Sequence, residues 1–348
     1  DQEYALAYAG LGEAYWRKYE LSKDSNWIHD AVKDCNRSLE LENTLPQAHV
    51  TLGLIYKGTG RYEDAVKEFK DALDVDPVNA DAVRELGAAY EQLGDTGMAE
   101  ATYKKAIDLS RRYWAGYNRL GVFYYRQGRY DDAVEQFKQV VELTPDNYRG
   151  YNNLGGLYFY LNRWNEAEKL FKRSIEVEPN YTAYSQLGTL YYYRSHYKEA
   201  TQSFEQALKI QDSDHRVWGN LASAYLRSSN KDKARSSYEK AATLANGQMT
   251  LNPRDATLLC ELASYYEALN KKTEARDLVE KALKLSPNDV EVMARAGRLF
   301  ELFGDRVAAL QWIEKAFANG YSIADFENDP EMADLRKDPR FKELTARR

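Results

Sequence analysis

The stretch from Trp114 to Asn147, WAGYNRLGVFYYRQGRYDDAVEQFKQVVELTPDN, decides the fold. In its first half Tyr117, Leu120, Gly121 and Tyr124 share one face at helical spacing, and in its second half Ala133 and Phe137 do the same. Gly128-Arg129-Tyr130 separates the two patterns, and Pro145 closes the second. Glycine tolerates the left-handed backbone that ends a helix, and proline cannot continue one, so the stretch reads as a helical hairpin. The small Gly121 and Ala133 let the two helices approach closely, while Tyr124 and Phe137 fill the space around them.

The same pattern returns along the chain in a register of about 34 residues. Leu52, Gly53, Tyr56, Ala65, Phe69, Ala72 and Pro77 repeat it upstream, followed by Leu86, Gly87, Tyr90, Ala99, Tyr103 and Ala106. Downstream come Leu154, Gly155, Tyr158, Ala167, Phe171 and Pro179, then Leu187, Gly188, Tyr191, Ala200, Phe204 and Ala207. Leu221, Ala222, Tyr225, Ala234 and Tyr238 mark a seventh unit, Leu262, Ala263, Tyr266, Ala275 and Pro287 an eighth, and Gly297, Phe300, Ala309 and Ala316 a ninth. Leu11, Gly12, Tyr15 and Ala31 mark the first.

This register closely resembles the tetratricopeptide repeat family, over roughly residues 5 to 323. The expected fold class is all-α: a right-handed superhelical solenoid of about nine helix-turn-helix repeats with a C-terminal capping segment. The array is expected over 1–323, with units starting near 5, 46, 80, 114, 148, 181, 215, 256 and 290, and the helical cap over 324–348. The resemblance further implies that the first helix of each hairpin lines an inner, concave wall.

Composition narrows the function classes. A net charge of -6 disfavours non-specific attraction to nucleic acid or anionic lipid. No apolar run is long enough to cross a bilayer, and the opening DQEYALAYAG has no signal-peptide pattern. With only Cys35 and Cys260, a disulfide framework is excluded and a cytoplasmic location is expected. The start at Asp1 rather than Met points to a segment of something longer.

Two units are about seven residues longer than the rest, close to two helical turns. In the first the surplus lies near Leu21 to Asn26, and in the seventh it lies in LANGQMTLNPRDA after Ala241, where a lengthened second helix is expected. After the ninth unit, Asp329-Pro330 and Asp338-Pro339 each read as an N-cap followed by Pro at the first helical position. Phe326, Leu335, Phe341 and Leu344 are expected to cover the last hairpin. At the other end Tyr4, Leu6, Tyr8, Leu11 and Trp16 have no polar cap, so upstream sequence or self-association through the N-terminal repeat is expected there. The segment Ala7 to Trp16, taken with Asp338-Pro339-Arg340-Phe341, also resembles tetratricopeptide tails of bacterial serine/threonine kinases and adenylate cyclases. That resemblance implies a regulatory or recruitment region of a larger bacterial signalling protein.

No catalytic constellation, metal site or cofactor site is expected. The histidines His29, His49, His196 and His215 fall in different units without a paired carboxylate or cysteine at ligand spacing. Gly58-Thr59-Gly60-Arg61 lacks the lysine of a phosphate loop. Asp131-Asp132 and Glu63-Asp64 suit the starts of second helices, where the dipole favours negative charge.

A binding groove remains. By resemblance to the family, positions 2, 5, 6, 9, 12 and 13 of first helices touch ligands. The peptide-binding candidates there are Arg84, Asn118, Arg119, Arg149, Asn152 and Asn153, with Tyr125, Arg126, Phe159, Tyr160, Tyr192 and Tyr193. Asparagines on successive turns can pair with an extended peptide backbone, and arginine forks bind carboxylates. The alternative is that the arginines pair internally with Asp81, Glu85 and Glu91 and that the tyrosines pack between hairpins. The family's two-carboxylate clamp is broken by Ala88, Arg119 and Asn153, and Asn153 and Asn220 give only two separated rungs of a peptide-backbone ladder. The expected function is a non-catalytic scaffold that binds protein or extended peptide in the groove. Single-stranded RNA binding and a purely structural or self-associating role are the alternatives, and no membrane partner is expected.

Overall fold

Several helices in this chain start at a short polar side chain that caps them, and the first helix of each hairpin ends at a residue in the left-handed conformation. The side chains of Asn79, Asp95, Asp214, Asn230, Asp255, Asp289 and Asp305 each accept a hydrogen bond from a backbone N–H in the first turn of the helix that follows. At the far end of the first helix of the Trp114 hairpin, Gly128 has φ of 72°. Its N–H donates to the Tyr125 carbonyl at 3.1 Å and the Arg129 N–H to the Tyr124 carbonyl at 2.9 Å, the paired bonds of a Schellman turn. The same pair of bonds recurs at Asn162-Arg163, Ser195-His196, Ser229-Asn230 and Asn270-Lys271. Where glycine is absent, Asn, Ser or, in the first hairpin, Lys23 takes the left-handed position.

The computed structural model describes residues 2–346. Among the described residues there is no strand. Contacts group the chain into two compact units that divide between Leu157 and Tyr158. In the first, α1 (Gln2–Ser22) packs on α2 (Asn26–Leu41), α3 (Pro46–Gly58) on α4 (Tyr62–Val75), α5 (Ala80–Gln92) on α6 (Thr96–Leu109), and α7 (Trp114–Arg126) on α8 (Tyr130–Leu143). The helix α9 (Tyr148–Tyr160) carries the division, and α10 (Trp164–Val177) packs on the next helix, α11 (Tyr181–Tyr193). In the second unit α11 pairs with α12 (Tyr197–Ile210), α13 (His215–Arg227) with α14 (Lys231–Leu251), α15 (Ala256–Ala268) with α16 (Lys272–Leu285), and α17 (Val290–Leu302) with α18 (Arg306–Ala318). First helices also touch one another, α3 with α5, α5 with α7, α11 with α13 and α15 with α17, so each unit has a face made of first helices.

Within a hairpin the close approach is made at one glycine. A Cβ on Gly121 would lie 2.8 Å from the Phe137 ring, nearer than any carbon can sit. Phe137, Ala133, Leu120 and Tyr124 around it are all buried. In the first hairpin Cys35 stands where the second to seventh have an aromatic ring, and it packs with Trp16, Ala31, Leu52 and Ile55. Burial pushes its thiol up to about 12, so Cys35 is an inert core group.

The surplus residues lengthen helices in both long units. The second helix α14 runs unbroken to Leu251 as its sequence predicts. In the first unit α1 extends to Ser22 before Lys23, with φ of 58°, turns the chain.

After α18 the chain forms α19 (Ile323–Glu327), two single 3-10 turns over Pro330–Met332 and Leu335–Lys337, and α20 (Pro339–Ala346). Phe326, Met332, Leu335 and Phe341 are buried together with Met293, Ile313 and Phe317, and Leu344 packs at their edge. Of the two Asp-Pro signals, Asp338-Pro339 opens a helix, whereas Asp329-Pro330 opens only a three-residue turn. Arg336 donates to the backbone carbonyls just before that turn, at 2.5 Å to Asp329 and 3.1 Å to Phe326.

Candidate peptide-binding surfaces

The candidate residues fall in different compact units, and each set has its own surroundings. In the first unit, Arg84 on α5 belongs to an internal cluster: it pairs with Asp81 one turn back and with Glu85 at 3.4 Å, while Lys57 on α3 also bonds Glu85. Burial pushes the Glu85 carboxyl up, but Lys57, Arg84 and Arg119 outweigh it and hold Glu85 below the usual carboxylate range. Arg126 on α7 donates to Glu91 at 2.8 Å, and Tyr103 donates to the other Glu91 oxygen at 2.8 Å. Internal pairing, the alternative reading of these arginines, therefore describes Arg84 and Arg126.

Arg119 is half-buried beside this cluster and makes no ion pair within 4.0 Å among the described residues. Asn153 on α9 donates to Asn118 on α7 at 2.8 Å, a side-chain bridge between successive first helices. Asn152, next to it, is buried. Arg149 is exposed, its guanidinium 5.1 Å from the centre of the Tyr148 ring. Tyr125 is exposed and packs against Tyr130.

In the second unit the aromatic candidates do not form an open face. Phe159 meets Tyr193 edge-on at 5.8 Å, and Tyr193 meets Tyr192 in the same way. Tyr160 stays exposed. Tyr192 donates its hydroxyl to Glu331 at 3.1 Å, so the segment after α19 lies over this face. Burial pushes both the Tyr192 and Tyr193 hydroxyls well above the usual range, with Glu331 and Asp329 adding to the effect. Arg227 at the end of α13 and Arg298 on α17 complete the lining: they reach the Pro330 carbonyl at 3.4 Å and Asp329 at 3.2 Å. The sequence pattern contained a signal for both, since they occupy positions 13 and 9 of their repeats. The groove candidates drawn from the sequence span the third to the sixth units, and the expectation for the C-terminal segment is that it covers the last hairpin.

Two histidines correct their sequence readings. His215, the first residue of α13, is buried, with Nδ1 3.0 Å from the Tyr265 hydroxyl and Nε2 3.7 Å from the Glu261 carboxylate. His49 does have a carboxylate partner: Nδ1 lies 2.8 Å from Glu68, with Asp71 close enough for the three to be a candidate metal cluster. Glu68 lies two turns into the following helix, at a spacing that becomes a contact only when α3 and α4 pair.

Paired helices in this register define a tetratricopeptide repeat protein, and residues 50–116 match the tetratricopeptide repeat model. Residues 108–334, more than half of the chain, match the model described as the Cilia and flagella-associated protein 70 C-terminal domain, and the chain belongs to that family. The match does not lie with tails of bacterial kinases or cyclases, so the bacterial signalling setting drawn from the terminal motifs is not supported. No curated protein matches the chain. Among solved structures, a tetratricopeptide repeat protein from Parabacteroides merdae is 21% identical, with TM-score 0.53 over 74% of this chain and 99% of that one. The APC/C Cut9-Hcn1 hetero-tetramer gives 18% identity and TM-score 0.53 over 78% of this chain and 52% of that one. Pseudomonas aeruginosa pilF gives 24% and 0.49, over 60% and 92%. The first two likenesses show the fold. Tetratricopeptide repeats are non-catalytic modules for protein interaction, and no described helix is long and apolar enough to cross a membrane.

Proposed function

We propose that this chain is a recruitment region of a ciliary or flagellar protein that binds an extended peptide on its first-helix faces. The family match supports the setting. The observation that carries the binding mode is the Asn118–Asn153 bridge with Arg119 beside it: side-chain amides on consecutive first helices, next to a guanidinium without an ion pair among the described residues. Asparagine amides can exchange their mutual bond for a peptide backbone, and Arg119 can take a carboxylate. Glu85 and Glu91 line the same face and neutralise Arg84 and Arg126, which argues against a phosphate backbone as ligand. Self-association through α1 belongs to the same reading, since Tyr4, Leu6 and Leu11 are exposed along it. A mass that rises with concentration in light scattering would support that part.

Selection of a displayed random-peptide library on the full chain tests the main reading. Acidic peptides are expected, and Arg119→Ala should weaken them by roughly 10-fold or more, the loss of about 1.5–3 kcal/mol for a charged hydrogen bond, without moving the melting temperature. Selected peptides indifferent to both Arg119→Ala and Asn153→Ala would overturn it.

A further inference from the structure

The C-terminal segment does two separable things. Phe326, Met332, Leu335 and Phe341 bury themselves against the last hairpin, which is all that a cap requires. Between these anchors, Asn328–Glu331 turns its polar groups onto helices far away in sequence. Asn328 Nδ2 donates to Asn162 Oδ1 at 3.0 Å, across 166 residues. Glu331 accepts from Tyr192 across 139 residues, and the Pro330 carbonyl accepts from Arg227 across 103. Asp329 accepts from Arg298 Nε, and the Arg298 guanidinium also stacks 4.2 Å from the Phe326 ring.

These contacts come from the turn after α9 and from α11, α13 and α17, and they cover both carboxylates, one main-chain carbonyl and one side-chain amide. An apolar cap has no use for that set. It is the recognition chemistry for a short acidic peptide: arginine and tyrosine donors for carboxylates, and a donor for the backbone. The segment is also preorganised, because Asp329 Oδ1 accepts from the Glu331 N–H at 2.8 Å and Arg336 fixes the carbonyls of Phe326 and Asp329. Burial next to Asp329 raises the Glu331 carboxyl above its usual range, which fits a group held in a site rather than one free on a surface.

We propose that Asn162, Tyr192, Arg227 and Arg298 form a binding site for an acidic Asn-Asp-Pro-Glu-type peptide turn, and that the chain's own Asn328–Glu331 occupies it as a resident ligand. This rests on the reading of first-helix faces as peptide sites. A partner carrying such a turn binds by displacing the resident segment, which its tether keeps at high effective concentration.

The test uses the full chain and a labelled peptide of residues 324–334. In a variant with Asp329→Ala, Pro330→Gly and Glu331→Ala, which keeps the four apolar anchors, the peptide should bind at least 10-fold more tightly than to the unaltered chain. Adding Tyr192→Phe or Arg227→Ala to that variant should weaken it several-fold, and a peptide with Asn and Gln in place of Asp and Glu should not bind. In the unaltered chain, excess peptide should accelerate amide exchange across 327–332, a readout available even if the triple variant fails to fold. A folded variant that ignores the peptide, or unchanged exchange in the unaltered chain at saturating peptide, would show that the segment is only a structural cap. If library peptides still require Arg119 in that case, the broader peptide-binding reading stands and only this site is lost.

Discussion

The first-helix faces of the two units carry similar residues and are closed in different ways. In the first unit Glu85 and Glu91 neutralise Arg84 and Arg126 through ion pairs within and between neighbouring helices, and Arg119 and Arg149 are left outside those pairs. In the second unit Arg227 and Arg298 find their acceptors on a segment that arrives from the C-terminal end. The difference teaches that arginine at a groove position does not announce a foreign ligand. What matters is whether an acid stands one helix away, and if none does, the chain can bring one.

The comparison breaks most severely at Phe326. This ring is fully buried against Phe317 at 5.5 Å, and Phe326→Ala should cost about 3–5 kcal/mol and loosen the cover over Tyr192 and Tyr193. Hydrogen exchange should then rise through α17 to α20 while α3 to α6 keep their protection, because repeats couple mainly to neighbours. Uniform loss of protection along the chain would contradict that separation. In the first unit Gly121→Ala should cost about 1–3 kcal/mol, since the added methyl meets Phe137, and thermal melts read it directly. Glu91→Gln is milder: Tyr103 keeps an acceptor, Arg126 loses its charged partner, and a loss of about 1 kcal/mol is expected. The same change should strengthen acidic-peptide binding to the first unit and leave the second unaffected.

The smallest effect is a pH dependence confined to the first unit. The hydrogen bond to Glu68 raises the His49 imidazole above its usual value, against the opposing effect of burial. A raised histidine stabilises the fold fully below the unfolded value of about 6.5, and the contribution is lost as pH rises through the folded one. Melting temperature should therefore fall slightly from about pH 6.5 upward, and His49→Gln should flatten that slope. An unchanged slope in the variant would remove His49 as its cause.

Much of the fold was legible because it is local. Leucine, glycine and tyrosine at fixed spacing, a left-handed residue at Gly128 or Asn162 and caps such as Asp255 or Asp305 act within one or two turns of helix, so the chain displays them directly. Pairings set by one hairpin were partly legible: Arg84 with Glu85 and Arg126 with Glu91 could be named as alternatives but not decided. His49 with Glu68 was missed, because a separation of 19 residues has meaning only once two helices are antiparallel.

The sequence by itself determined the repeat, the helical hairpins and which side chains pack inside each of them, since periodicity fixes the face a residue occupies. Only the tertiary structure decided which arginines are neutralised and where Asn328–Glu331 lies, because contacts across 103 to 166 residues depend on how successive hairpins stack, and periodicity carries no record of that.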